Sequence, residues 1–234
     1  MDRKSFELLH AMEHSWWYRG RAAAVGAALK RVGVSEESEI LDLGCGFGGM
    51  YETLARFGKH VSAYEPDNEA RDGAKKRGYT EVFSSEGEAL AHTCDLIGLF
   101  DVVEHIEDDR AFLARLHAAL KDEGRVAITV PAFQFLWSVH DINHHHFRRY
   151  TATSMRNALE SAGFRIEYTS YWNMILFFPA ALMRLLGRTG EDALSLPQWI
   201  DKLFLFIVKL ETPCIRILSL PFGTGLVVVA RKAS

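Results

Sequence analysis

A carboxylate and a group of glycines stand where an apolar run ends near residue 43. The run from Ile40 to Leu43 predicts a buried strand, and Gly44, Gly46 and Gly49 follow it with the spacing G-x-G-x-x-G. Glycines at this spacing let the backbone turn tightly and approach a ligand closely. The stretch therefore predicts a strand, a nucleotide-cofactor loop and a helix, in that order.

The position of Asp42 bears on which cofactor this loop would bind. Asp42 precedes the first glycine by two residues, inside an otherwise apolar run. Burying a carboxylate costs free energy unless a cation meets it. The pyrophosphate of a dinucleotide would be repelled there, whereas the ammonium group of a methionine moiety would be attracted. The pattern favours S-adenosylmethionine, and a nicotinamide dinucleotide stays the alternative.

The stretch resembles the first motif of the class I S-adenosylmethionine-dependent methyltransferases. That motif reads hydrophobic-hydrophobic-D-hydrophobic-G-C-G-x-G and is present from Ile40 to Gly48. The resemblance extends over about residues 38–170. The cofactor-binding residues that it implies are Arg21, Asp42, Gly44, Cys45, Gly46, Glu65 and Phe100.

Two of these residues have a specific partner in the resembling families. Glu65 stands 19 residues after Gly46 and would hydrogen-bond the ribose hydroxyls. Arg21, with Arg19 as the alternative, would meet the methionine carboxylate. The preceding Trp16 and Trp17 would form a lid over the cofactor, or one of them would staple the first helix to the sheet.

A second set of reactive side chains follows the fourth predicted strand. Asp101, Glu104 and His105 are three and four residues apart, so a helix beginning here would place them on one face. Oxygen and nitrogen donors on one face suit a divalent metal. The alternative is that His105 acts as a general base or packs in the pocket.

Histidines and arginines are concentrated between His140 and Thr151. Together with the E-H pair, this segment resembles the E-x-x-E-H and H-x-F-like motifs of ubiquinone-biosynthesis O-methyltransferases and small-RNA 2′-O-methyltransferases, and the latter hold magnesium. The metal ligands that the resemblance implies are Asp101, Glu104, His105 and His146, with His145 as the alternative to His146. We prefer His146, which lies four residues before Tyr150 in a complete H-D-x-x-x-x-H-x-R-R-Y pattern.

The catalytic residues predicted from both segments are His105, His146, Arg149 and Tyr150. The two histidines would act on the methyl acceptor, and Arg149 and Tyr150 would shape its pocket. Arg148 and Arg149 would either clamp an anionic group of the substrate or pair with acids of the protein.

These residues need a scaffold, and the apolar pattern predicts one. Strand-length apolar runs alternate with amphipathic stretches, which is the signature of βαβ units and a mostly parallel sheet. Strands are predicted at 40–43, 61–65, 81–83, 96–100, 126–130, 164–168 and 226–230, and helices at 51–57, 67–74, 108–123 and 151–163. We predict an α/β fold: a Rossmann-like, seven-stranded, mostly parallel sheet with helices on both faces. The resemblance implies that the last strand is antiparallel beside the sixth.

We predict one methyltransferase domain over residues 1–234. Its parts are an N-terminal lid and helix (1–37), a cofactor-binding core (38–170), an apolar helical insertion (172–222) and the last strand (223–234). The insertion has no apolar run of the ~18 residues that a spanning helix needs. It would cover a hydrophobic substrate, form a dimer surface, lie on a membrane, or add a core layer. Arg184, Arg188, Lys202 and Lys209 would form its polar edge.

Composition limits the partners and the compartment. A net charge of −3 over 234 residues gives no general attraction to nucleic acid. Three widely spaced cysteines and a polar N-terminus indicate a reducing, cytoplasmic setting, with peripheral membrane contact left open. The predicted partner is a small-molecule or lipid-like methyl acceptor.

The predicted function is methyl transfer from S-adenosylmethionine to an oxygen of a hydrophobic small molecule or lipid-linked precursor, with magnesium as an optional cofactor. A non-catalytic S-adenosylmethionine-binding scaffold of a biosynthetic complex is a rival hypothesis. The stretch Ser84-Ser85-Glu86 permits it, because the family often has an adenine-reading acid or Asp-Ala pair there. An NAD(P)-dependent oxidoreductase is a second rival. An RNA methyltransferase is a third, to which the modest charge gives little support.

Overall fold

A seven-stranded sheet forms the centre of the molecule. The structure is a computed structural model, which describes residues 15–186 and 197–233. The strand order is β3-β2-β1-β4-β5-β7-β6. The strands are β1 (Ser38–Leu43), β2 (Gly58–Tyr64), β3 (Val82–Phe83), β4 (Cys94–Phe100), β5 (Leu120–Pro131), β6 (Phe164–Trp172) and β7 (Gly225–Lys232). All neighbours pair in parallel except β7, which runs antiparallel between β5 and β6. The predicted fold class is confirmed.

Helices cover both faces of this sheet. They are α1 (Trp16–Arg31), α2 (Tyr51–Leu54), α3 (Asn68–Lys75), α4 (Glu86–Ala91), α5 (Asp109–Ala119), α6 (Val139–Asn143), α7 (Ala152–Ser161), α8 (Phe177–Leu185) and α9 (Gln198–Ile217). One core layer joins α4, α5 and α7 to the sheet, and the other joins α1, α2, α3 and α9 to its opposite face. The site residues therefore sit on loops held by two packed layers.

Side-chain caps begin several of these helices. The Asp67 carboxylate accepts the Glu69 and Ala70 N–H groups at the start of α3, and Asp108 accepts the Ala111 N–H before α5. Thr151 caps α7 in the same way. Each cap satisfies backbone donors that have no partner inside the helix.

Several element ends differ from prediction. The helix predicted at 51–57 ends at Leu54, and β2 already begins at Gly58. The helix predicted to run to Gly124 ends at Ala119, because Leu120 turns into β5 and pairs with Cys94 of β4. Long-range strand pairing, which the local pattern does not encode, sets these boundaries.

The apolar segment after β6 forms α8 and α9. Val208 of α9 packs so closely on α1 that a Cβ added at Gly20 would lie 2.8 Å from it. The Glu211 carboxylate accepts the Met174 and Ile175 N–H groups at 2.8 and 2.7 Å, which ties α9 to the chain entering α8. No helix in the described parts of the chain is both long and apolar enough to span a bilayer. The part of the predicted lid before residue 15, and Arg188, lie outside the described residues.

Candidate functional site

The glycine loop follows β1 at the carboxyl end of the parallel strands. Gly44, Gly46 and Gly48 have φ values of +81°, +56° and +86°, which only glycine adopts without strain. A Cβ added at Gly44 would lie 2.8 Å from Val102, whereas one at Gly46 would meet nothing within 4 Å. The loop backbone therefore faces open space at Gly46, as a close approach to a ligand requires, and Cys45 lies partly buried beside it.

Asp42 is buried beneath this loop, with only 1% of its surface exposed. The Tyr79 hydroxyl donates a hydrogen bond to Oδ2 of Asp42 at 2.5 Å. Burial raises the pKa of Asp42 to about 6, although the Tyr79 bond and the Arg21 charge act in the opposite direction. Ionised Asp42 thus lacks full compensation and is suited to receive a cation. Tyr79 lies outside every motif in the sequence, and no local signal identifies it.

Glu65 joins the glycine loop to the loop after β2. Its Oε2 accepts the Gly46 N–H at 2.9 Å, and its Oε1 accepts the Asp67 N–H at 3.0 Å. Burial raises the pKa of Glu65, and the two N–H groups oppose that rise. An acid thus stands beside the open space at Gly46, where hydroxyl groups of a ligand would find an acceptor.

Arg21 reaches from α1 to the end of β4. Its Nη1 donates to Oδ2 of Asp101 at 2.6 Å and to the carbonyl oxygen of Phe100 at 3.2 Å. Burial is the largest single effect and lowers the pKa of Arg21, but the charges of Asp101, Tyr18 and Asp42 together with the Asp101 hydrogen bond outweigh it, and the net shift is upward. Its Nε is buried and has no partner among the described residues. Arg19, the alternative candidate, is exposed.

Asp101 differs from its predicted place. It adopts φ +61°, and only residues 103–105 form a short 3₁₀ helix, so the expected helical face of Asp101, Glu104 and His105 does not form. Its Oδ2 accepts a hydrogen bond from Arg21, and its Oδ1 accepts one from the Thr129 hydroxyl at 3.0 Å. Asp101 is therefore not in the group whose potential ligand atoms come together, although its charge acts on Glu104 and His105.

Glu104, His105 and His146 do come together. One potential ligand atom from each lies within 4.8 Å of the other two. The His105 and His146 rings meet edge to face, with centroids 4.6 Å apart. Burial and then His146 lower the pKa of His105 to about 4, while burial and then Asp101 raise the pKa of Glu104. The structure thus places two imidazole rings, of which His105 is held neutral, beside a carboxyl group whose protonated form burial favours.

Asp141 organises the other side of this cluster. It is fully buried and accepts hydrogen bonds from Nδ1 of His146 at 2.9 Å and from Nε and Nη2 of Arg149 at 2.8 and 2.9 Å. Burial raises the pKa of Asp141, yet His146 and Arg149 bring it well below its usual range. Because an ionised carboxylate only accepts, Nδ1 of His146 carries a proton, and Nε2 is the ring nitrogen that does not bond to Asp141.

The neighbouring histidines are distinguishable in the structure. His145 is exposed at φ +56°, so His146, not His145, lies beside His105. The His140 and His144 rings stack with centroids 4.0 Å apart, and Nδ1 of His144 lies 2.9 Å from the His140 carbonyl oxygen. Burial and then His144 lower the pKa of His140 to about 4.

Tyr150 and Arg148 bond to a different carboxylate, that of Asp109. The Tyr150 hydroxyl is buried and donates to Oδ2 of Asp109 at 2.7 Å, and Arg148 pairs with the same oxygen at 3.0 Å. Both arginines of the R-R-Y pattern thus pair with acids of the protein, Arg148 with Asp109 and Arg149 with Asp141. The sequence places neither Asp109 nor Asp141 among the predicted site residues, although Asp141 is the D of the H-D-x-x-x-x-H-x-R-R-Y pattern.

Known proteins resemble this chain in sequence and in fold. A family model described as a methyltransferase domain matches residues 16–169. The chain is 36% identical over 101 residues to the mitochondrial ubiquinone biosynthesis O-methyltransferase of Schizosaccharomyces pombe, a match over 39% of this chain and 37% of that protein. It is 24% identical over 144 residues to the ubiquinone biosynthesis O-methyltransferase of Yersinia enterocolitica, over 54% of this chain and 60% of the relative. These matches thus span 37% and 60% of the relatives' own lengths.

Among solved structures, the chain is similar to magnesium protoporphyrin IX methyltransferase from Synechocystis PCC 6803 with bound S-adenosylhomocysteine. The TM-score is 0.58 at 15% identity, over 92% of this chain and 84% of that chain. At this identity the likeness shows the fold alone.

Proposed function

We propose a reaction for this chain from the premise that it belongs to the methyltransferase domain family, whose model matches residues 16–169. The cofactor of that family is S-adenosylmethionine. The proposed reaction is transfer of its methyl group to an oxygen of a hydrophobic small molecule or lipid-linked precursor. When bound, the cofactor supplies an activated methyl group, so the protein has to hold the two reactants and handle one proton.

The residues around the glycine loop fit this cofactor. Ionised Asp42 would meet the ammonium group, because it is buried with too little positive charge around it. Glu65 would accept the ribose hydroxyls beside the open space at Gly46. Arg21 would bind the methionine carboxylate through donors that Asp101 leaves free, such as the unpartnered Nε. Gly44, Cys45 and Phe100 would line the same cleft.

The observation that carries the oxygen-transfer proposal is the buried pair of Asp141 and His146. With its Nδ1–H held by Asp141, His146 presents the unprotonated Nε2 as a general base. It would accept the proton of the acceptor hydroxyl while that oxygen gains the methyl group, and Asp141 would stabilise the imidazolium that results. His105, whose pKa of about 4 keeps it neutral, would orient the hydroxyl without competing for the proton.

An aromatic group beside these histidines supports a hydrophobic acceptor. Phe133 stacks on Tyr171 with centroids 4.9 Å apart and meets Phe177 at 5.7 Å. The Arg149 Nη1 donates to the carbonyl oxygen of Ala132 at 3.3 Å, so this bond links the Asp141 network to the backbone next to Phe133. An acceptor whose hydroxyl reached His146 would extend its apolar part over these rings.

A metal-assisted route is the second candidate. Both carboxylate oxygens of Glu104 are buried without a hydrogen-bond partner among the described residues. Glu104, His105 and His146 would hold the ion, which would lower the pKa of the acceptor hydroxyl as a Lewis acid. One carboxylate and two imidazoles suit zinc better than magnesium, which prefers oxygen ligands.

The proposed reaction can be tested with matched acceptors and methyl-labelled S-adenosylmethionine. We expect a methyl ether from a long-chain alkylphenol, and less product from a short-chain phenol or from the corresponding alkylaniline. A preference for the aniline would contradict transfer to oxygen. Equal rates for the long and short phenols would contradict a hydrophobic acceptor.

A chelator separates the two routes. We expect activity to stay within about twofold after dialysis against the chelator, because the Asp141–His146 pair needs no metal. Loss of activity that zinc restores would support the second candidate. Restoration by magnesium alone would instead support the metal ligands that the family resemblance implies, which include Asp101.

A further inference from the structure

Helix α9 carries an apolar stripe on the face that points away from the protein. The stripe consists of Trp199, Leu203, Phe206, Leu210 and Ile217, which follow one another at intervals of four, three, four and seven residues. These intervals place the side chains on one face of a helix. Their exposed fractions lie between 46% for Leu203 and 72% for Ile217. Single exposed apolar residues are ordinary, whereas an aligned row of five is not.

The opposite face of α9 already has its partner inside the molecule. Leu205, Val208 and Ile215 are buried, and Val208 packs against α1 at Gly20. The exposed stripe therefore takes no part in anchoring α9 to the rest of the molecule, because the buried face already does so.

Positive charge flanks the stripe, and negative charge is turned away from it. Lys202, Lys209 and Arg216 are all exposed and follow one another at intervals of seven, so they form a row along one side of the stripe. The two acids of α9 are used inside: Asp201 accepts the Trp16 N–H at 2.8 Å, and Glu211 accepts N–H groups at the entry to α8. The outer face of α9 thus combines an apolar row with cations only.

Helix α8 adds to this character. It exposes Phe178, Leu182 and Met183, and its basic residue is Arg184. Burial and then the charge of Arg149 lower the pKa of Arg184, while the charge of Asp141 raises it, so the Arg184 guanidinium lies within electrostatic reach of the Asp141–Arg149 pair. Helix α8 therefore presents a second exposed apolar group, on the side of the molecule where Asp141 and Arg149 lie.

We propose that the outer face of α9, together with α8, binds the surface of an anionic lipid bilayer. An amphipathic helix in a membrane interface buries its apolar row among the acyl chains and sets its lysines and arginines against acidic head groups. A second copy of this chain fits the face less well. It would bring three more cations and no carboxylate from α9 to pair with them.

Binding to a bilayer is independent of the proposed reaction, since it requires neither the cofactor nor a methyl acceptor. Such binding would place the acceptor side of the site near the membrane, where a hydrophobic acceptor is concentrated. Failure of the membrane proposal would therefore leave the methyl-transfer proposal standing, and the reverse also holds.

Vesicle co-sedimentation of the full chain tests the proposal. The two probes are vesicles of phosphatidylcholine alone and vesicles with about a third phosphatidylglycerol. We expect the wild type to bind the anionic vesicles about tenfold or more tightly than the neutral ones. Phe206→Ser should weaken binding to the anionic vesicles about tenfold, because it removes a large exposed ring from the row.

A charge-reversal pair and its control complete the test. Lys202→Glu with Lys209→Glu should abolish the preference for anionic vesicles, whereas Lys30→Glu with Lys76→Glu, which reverses two exposed lysines outside α8 and α9, should keep it. Absence of vesicle binding by the wild type would overturn the proposal. Equal loss in both double variants would overturn it too, because it would show a general charge effect. A dimer in light scattering that Phe206→Ser dissociates, without vesicle binding, would assign the face to a second copy.

Discussion

Asp141 is the residue on which the acceptor side of the site depends. It is fully buried, yet the His146 ring, the Arg149 guanidinium and the Ser138 N–H all donate to its carboxylate. A buried carboxylate with this many donors stays ionised and holds each donor in one orientation. Asp141 is thus a positioning residue: in the proposed reaction it acts through His146.

Replacing Asp141 by Asn should therefore affect catalysis more than binding. We expect Asp141→Asn to lower kcat about 100-fold with little change in KM, because the amide no longer fixes the His146 tautomer. Asp109→Asn is the matched control, since it also breaks a carboxylate–arginine pair, with Arg148, but does not touch His146. It should lower stability and keep kcat. Steady-state kinetics with urea unfolding checks both variants, and equal losses of kcat would contradict the assigned role.

The pKa of Asp42 makes cofactor affinity depend on pH. With a pKa of about 6, the carboxyl group is protonated in acid and must lose that proton before it can meet an ammonium group. We expect the Kd for S-adenosylmethionine to be constant above pH 7 and to rise about tenfold per pH unit well below pH 6. Titration calorimetry of the wild type and Asp42→Asn checks this. The variant should bind weakly without that slope, and a slope retained in it would assign the effect to another group.

The sequence predicts the identity of the reactive residues better than their partners. Asp42, Glu65, His105 and His146 all lie where their motifs suggest, beside the loops after β1, β2, β4 and β5. Their partners come from distant parts of the chain: Tyr79 reaches Asp42 across 37 residues, and Arg21 reaches Asp101 across 80. Local spacing carries no information about such contacts. It therefore groups Asp101 with the metal ligands, although Asp101 bonds to Arg21 and Thr129.

At the scale of elements, the loops at the carboxyl ends of the parallel strands carry the candidate site residues. The glycine loop after β1 is the clearest case, because its open space depends on having no Cβ at Gly46. Helix and strand centres follow from the apolar pattern, but their ends do not. The early start of β5 at Leu120 arises from its pairing with β4, which is a contact between segments far apart in sequence.

Two glycine variants separate strain from loss of ligand space. Gly46 and Gly33 have similar φ values of +56° and +68°, and a Cβ at either would meet no protein atom within 4 Å. We expect Gly46→Ala and Gly33→Ala to cost about 1 kcal/mol of stability each, through backbone strain. Only Gly46→Ala should weaken S-adenosylmethionine binding, by about tenfold or more, since its methyl group would occupy the ligand's space. Thermal unfolding and calorimetry measure the two effects, and equal affinities would contradict this site for the cofactor.

At the scale of the whole molecule, the chain builds two core layers on one sheet. The layer on the α1 face includes residues from both ends of the described chain, among them Val25 of α1, Val208 of α9 and Val227 of β7. The α8–α9 segment therefore shares its core with the cofactor-binding part. The seven strands and their mostly parallel arrangement were predictable. The packing of α9 on α1 was not, because an apolar helix does not reveal which of its faces will be covered.

This shared core predicts cooperative unfolding. Val208→Ala should lower the free energy of unfolding of the entire molecule by about 1–2 kcal/mol, because it leaves a cavity against α1. Leu210→Ala, two residues further along the same helix but exposed, should cost less than about 0.5 kcal/mol. Urea unfolding followed by tryptophan fluorescence and by circular dichroism should give coincident transitions. A separate early transition confined to fluorescence would show that α9 folds as its own unit.

The role of His146 is tested first by comparing cofactor binding and methyl transfer in His146→Gln. We expect the variant to bind S-adenosylmethionine like the wild type, because His146 bonds to Asp141 and not to the residues proposed to hold the cofactor. The rate of methyl ether formation should fall about 100-fold or more, since the general base is gone. A variant that transferred methyl groups at the wild-type rate would contradict the proposed role of His146. A wild type that bound the cofactor and methylated no acceptor would contradict catalysis itself and would favour the scaffold.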